Sequence, residues 1–89
     1  MTGLKQADYD QAVRYVRQAL KVLDGQSFVG KGGVLSALKN TIRRLSGDSH
    51  PNGAASEITA LIEVASNVPI ADAKTEIHKA VAVLRVRTH

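Results

Sequence analysis

The stretch Asp8 to Gly25, DYDQAVRYVRQALKVLDG, carries an uninterrupted helical apolar period, and the rest of the chain must arrange itself around it. Tyr9, Val13, Val16, Leu20 and Leu23 recur at spacings of 4, 3, 4 and 3, which places all five on one narrow face of an α-helix. Leu20 is the expected centre of that face. Ala12, Tyr15, Ala19 and Val22 form a second apolar line beside it, so the stripe covers about half the circumference, wider than the ~100° that one neighbour needs. Two packing partners follow. The ends are also marked: Asp8 as N-cap with Gln11 three residues on, as in a capping box, and Gly25 as a left-handed closing residue.

Three further segments repeat the period. Between the first two lies GQSFVGKGG, whose glycines predict a loop from Gly25 to Gly33, since a glycine inside a helix costs about 1 kcal/mol. Phe28 and Val29 are expected to pin that loop to the core. From Val34, the residues Leu35, Leu38, Ile42 and Leu45 mark a second helix that Gly47 ends. GDSHPNG reads as a turn, with Pro51 and Asn52-Gly53 as its strongest markers. A third helix, AASEITALIEVASN, aligns Ala54, Ile58, Leu61, Ile62 and Ala65, and Asn67 and Pro69 stop it. In the fourth, Pro69 suits the first helical turn and Asp72 its positive end, while Ile70, Ala73, Ile77, Ala80, Val81 and Leu84 keep the spacing. The valine-rich tail AVAVLRVRT also alternates, so the fourth helix is expected to fray after Leu84, with a terminal strand as the other reading.

At 89 residues the chain forms one domain, 1–89, with an aliphatic core, because Tyr9, Tyr15 and Phe28 are its only aromatics. The predicted class is all-α, either a compact four-helix bundle or an orthogonal helical array. The absence of cysteine removes disulfides and thiolate chemistry. No segment approaches the ~20 apolar residues of a membrane span, and the polar N-terminus carries no apolar run, so a soluble cytoplasmic protein without membrane contact is expected.

Charge divides the chain into three blocks. Residues 1–46 hold eight cations against three carboxylates, net +5; residues 47–73 hold four carboxylates and no cation; the remainder holds four cations against Glu76, net +3. Arg14, Arg17 and Lys21, spaced 3 and 4, form a stripe on the flank of the first helix away from its second apolar line. Lys31, Lys39 and Arg43 are the neighbours that could extend it. Arg43 and Arg44 also suit the negative end of the second helix dipole, which alone accounts for both.

No other constellation holds. Gly25-Gln-Ser-Phe-Val-Gly30-Lys31-Gly32 approaches the phosphate-binding pattern G-x-x-x-x-G-K-[ST], but a helix precedes it, Gly32 replaces the hydroxyl residue, and no parallel sheet is expected. His50, His78 and His89 are scattered, and His78 has no His or carboxylate at the i+3 or i+4 spacing of a helical metal site. Glu57 and Glu63, six apart, point to different sides. Tested on the third and fourth segments, the helix-turn-helix pattern places Pro69 at its turn glycine and Thr75 at a later apolar position, with mainly Lys74 and Lys79 left for contacts. No catalytic residue, metal or cofactor is expected. The chain reads as a non-enzymatic binding module whose basic face meets nucleic acid, a nucleoprotein complex or an acidic protein surface. The other reading is an assembly adaptor or inhibitor protein that docks on a larger complex or self-associates through its oppositely charged blocks.

Overall fold

Four helices follow the periodic segments, α1 (Gln6–Asp24), α2 (Lys31–Gly47), α3 (Ala54–Asn67) and α4 (Ala71–Thr88), in a computed structural model that describes residues 6–47 and 54–88. No strand occurs among the described residues. α1 packs on α4 and on α2, and α3 packs on the same two, so the contacts close a ring. Neighbours run antiparallel. Arg14 and Arg17 lie near Ser46 at the far end of α2, whereas Lys21 and Asp24 lie near Leu35 and Lys39 at its start. Likewise Tyr15 meets Lys79, and Val22 lies near Asp72, one helix rising as the other descends. An antiparallel ring is the up-down-up-down four-helix bundle, not an orthogonal array.

The core is aliphatic except for Tyr9, which is buried in it at 2% exposure. Ala12, Val16, Ala19 and Leu23 of α1 are fully buried with Leu38 of α2, Leu61 of α3 and Ala73, Ile77, Ala80 and Leu84 of α4. Thr41 is the one polar side chain buried with them among the described residues, and its hydroxyl donates to the Ala37 carbonyl at 2.9 Å. α1 therefore has the two partners its broad stripe requires, but the centre lies elsewhere than expected. Leu20 is only half-buried, at the edge facing α2, and the fully buried positions of α1 are Ala12, Val16, Ala19 and Leu23. The cause is the second apolar line: α4 is the more extensive partner, and the small Ala12 and Ala19, seven residues apart like Ala73 and Ala80, turn that line toward it.

Several boundaries shift. α1 begins at Gln6, which puts Asp8 inside the first turn, where its charge suits the dipole, and Gln11 a turn beyond, so no capping box forms at Asp8. At its other end Gly25 is not left-handed. The Gly25 N–H donates to the Lys21 carbonyl at 3.3 Å, the Gln26 N–H to Leu23 at 3.1 Å, and the Lys31 ammonium to Asp24 at 3.0 Å. Those donors satisfy the terminal carbonyls that a left-handed glycine would otherwise serve.

The left-handed residue is Gly30, at φ 85°. Its carbonyl accepts the Val34 N–H at 3.2 Å, which makes it the N-cap of a helix that starts three residues before Val34. Gly32 and Gly33 thus lie in the first turn of α2, where the interior glycine penalty does not decide the outcome. Phe28 is half-buried against the core as expected, but Val29 is fully exposed at 102%. α3 matches its predicted limits, with Ile62 half-buried at the edge of its face. α4 starts at Ala71: the Lys74 N–H donates to the Ile70 carbonyl at 3.0 Å, so Ile70 is the N-cap and Pro69 precedes the helix. It continues to Thr88, past Leu84, and leaves no terminal strand. The turn with His50, Pro51, Asn52 and Gly53 lies outside the described residues, as do Lys5, Asp48 and His89. Among the described residues no helix is long and apolar enough to cross a membrane.

Candidate functional site

The basic stripe of α1 rides along the junction with α2. Arg14 and Arg17 are exposed and, with Asp10, Val13 and Ser46, line an open groove of about 330 Å³. Lys21 and Lys39 line a second groove of about 250 Å³ with Leu20, Asp24 and Leu35. Arg43 is exposed one turn beyond Lys39 on α2. Two helices thus bring five cations, Arg14, Arg17, Lys21, Lys39 and Arg43, to one seam. None of the five is held in an ion pair with a described residue. The stripe can form because these positions fall outside the apolar arc of α1, on the side that the α4 contact leaves free.

Lys31, half-buried, belongs to the end of the seam but not to its open surface. Its ammonium is committed to the Asp24 carbonyl, where a cation complements the negative end of α1. Periodicity also passed over two members of the seam. Asp10 and Asp24 enter the same grooves as the cations, at i,i+4 from Arg14 and i,i+3 from Lys21, a signal already present in the spacing. Asp10 is steadied by Gln6, whose amide donates to it at 3.3 Å.

The opposite flank of α1 is chemically different. Lys79 forms an ion pair with Glu76 at 2.9 Å and sits 5.8 Å from the centre of the half-buried Tyr15 ring. The hydrogen bond that Lys79 donates to Glu76, and then the Glu76 charge, raise the Lys79 pKa above the ordinary 10.5. A further groove of about 410 Å³ separates α2 from α3, lined by Gly30, Gly33, Val34, Ala37, Glu63, Val64 and Asn67. Glu63 is exposed there, whereas Glu57 is half-buried. The phosphate-loop resemblance finds a helix N-terminus directly after Gly30, with Lys31 as its first residue, but a helix before the loop, and the lysine points back to that helix. His78 is exposed, and no group of three His, Asp or Glu able to hold a metal occurs among the described residues.

The chain was compared with family models, curated proteins and solved structures, and none matches it.

Proposed function

We propose that this chain is a non-enzymatic binding module that docks the α1–α2 seam against the phosphate backbone of nucleic acid. The observation that supports this reading is the gathering of Arg14, Arg17, Lys21, Lys39 and Arg43 from two helices without ion-pair partners among the described residues. Cations kept solvated at fixed positions on rigid helices are available to displace counterions from phosphates. Successive cations on α1 rise by about 4.5 and 6 Å, so several phosphates can be met at once. A reducing aqueous compartment such as the cytoplasm suits a chain without cysteine.

The test is the salt dependence of binding to mixed DNA and RNA fragments. Log affinity should fall with log salt at a slope of about −3 to −5, reflecting the displaced counterions. No binding at low salt would end the reading. A second reading, docking on a protein surface or on another copy of the chain, draws on Asp10 and Asp24 within the grooves and on their apolar lining by Val13, Leu20 and Leu35. Partners that stay with the tagged protein after nuclease treatment, with no affinity for purified nucleic acid, would favour it.

A further inference from the structure

Building on that nucleic-acid reading, we infer that the seam takes double-stranded nucleic acid, held through phosphates, and not exposed single-stranded bases. Single-strand binders draw much of their affinity from bases stacked on aromatic rings, each contributing roughly fivefold to more than a hundredfold. Among the described residues this seam has no such platform. Tyr9 is buried at 2% exposure, Tyr15 lies on the α4 side of α1 beneath Lys79, and Phe28 packs against the core from the interhelix connection. Neither seam groove has an aromatic lining residue among the described ones.

Charge density points the same way. A duplex offers one charge per about 1.7 Å of axis, against about 3.4 Å for one strand, and each neutralised phosphate releases about 0.9 counterion rather than about 0.7. From Arg14 to Lys21 the α1 cations cover about 10.5 Å, and Lys39 and Arg43 form a second row on the neighbouring helix. Two fixed rows suit a stiff polyanion, and a duplex with a persistence length of about 50 nm is straight over that span. A single strand must be ordered to follow them, and stacking returns nothing. Base reading is also absent from the inference. The seam is a pair of shallow grooves between side-by-side helices, not a lone helix free to enter a major groove about 12 Å wide.

The deciding experiment titrates the whole protein into a fluorescein-labelled DNA duplex and, separately, one of its own strands, at low salt and equal phosphate concentration, read by anisotropy. The duplex should bind at least about tenfold more tightly, and a duplex of shuffled sequence should bind equally. A strand that binds as well as the duplex or better overturns this inference while leaving the nucleic-acid reading standing. So does a marked preference between the two duplex sequences. Arg14→Glu with Arg17→Glu should lower duplex affinity by more than about a hundredfold, with an unchanged helical spectrum. Lys39→Glu with Arg43→Glu, on the other helix, should do the same, which guards against one variant failing to fold. If neither probe binds, or if the folded charge-reversed variants bind as the parent does, the underlying reading falls and this inference with it.

Discussion

α1 faces α4 through one seam and α2 through another, and the two are built on different physics. Toward α4 it presents Ala12 and Ala19, fully buried, with the Tyr15 ring capped by Lys79. Toward α2 it presents half-buried Leu20 above two open grooves lined by cations and carboxylates. The first seam carries most of the contact of α1, and its outer edge is a groove of about 360 Å³ where Gln18 and Val22 meet Asp72, Thr75, Glu76 and Lys79, with that lysine paired to Glu76; the grooves of the second hold cations without such a pair among the described residues. One helix thus has two chemically distinct flanks, because the residues that set them lie on different arcs, and the proposed docking uses only the α2 side.

Truncation on either side of α1 should separate the two flanks most strongly. Leu23→Ala, at a fully buried site, should cost about 2 to 5 kcal/mol in urea denaturation. Leu20→Ala should cost clearly less, since half-buried Leu20 lines a groove, and equal losses would mean that the groove closes in solution. Added bulk comes next. Ala19→Leu should destabilise by about 1 to 3 kcal/mol through overpacking against α4. Ser46→Leu, at an exposed position in the Arg14–Arg17 groove, should stay within about 0.5 kcal/mol.

Glycines at the entry to α2 sharpen the picture at a smaller scale. Gly30→Ala should cost about 1 to 2 kcal/mol, because a side chain at φ 85° is strained even though nothing lies within 4 Å of the added carbon. Gly32→Ala, equally unobstructed but helical, should stabilise by about 0.4 to 1 kcal/mol. Opposite signs in thermal melts are the expected result, and two losses would place the start of α2 later than Lys31. The smallest effect belongs to the α4 side. Because Glu76 raises the Lys79 pKa in the folded state, the contribution of that charge is complete below the unfolded value near 10.5 and is lost as pH rises through the folded one. Lys79→Met should therefore melt slightly below the parent at neutral pH, and the gap should narrow in strong alkali.

Most of the helical framework was legible because periodicity and punctuation agreed, and α3 shows this best: Ala54 follows Gly53, and Asn67 with Pro69 closes the run, so both limits match. The misplaced details share a cause. A period identifies an apolar arc but does not weight it, so Leu20 looked central although Ala12, Val16, Ala19 and Leu23 are the fully buried positions of α1. Glycine propensity obscured the first turn of α2, where a cap and the bond from Lys31 to Asp24 override it. Val29 looked apolar enough to anchor its loop, yet one hydrophobic residue beside Gly30 has no neighbour obliged to cover it. At the seam, the α1 cations were visible from spacing alone. Their pairing with Lys39 and Ser46 depends on the antiparallel register of α1 and α2, which no local pattern contains.

Because α1 and α4 run antiparallel in the most extensive contact of the bundle, the start of one lies beside the end of the other, and the helices farthest apart along the chain are the most dependent on each other. Folding must then close the longest loop available, yet the entropic cost of closure grows only with the logarithm of loop length, about 0.6 kcal/mol per doubling. An α1–α2 hairpin formed first would leave its alanine-lined flank wet until α4 arrives, which favours joint ordering over stepwise accumulation. The same adjacency makes the order of the helices along the chain negotiable: a circular permutant that links the outer helices and opens the chain at exposed Val29 would keep every interhelical seam while making α1 and α4 sequence neighbours, and it should fold faster than the natural arrangement.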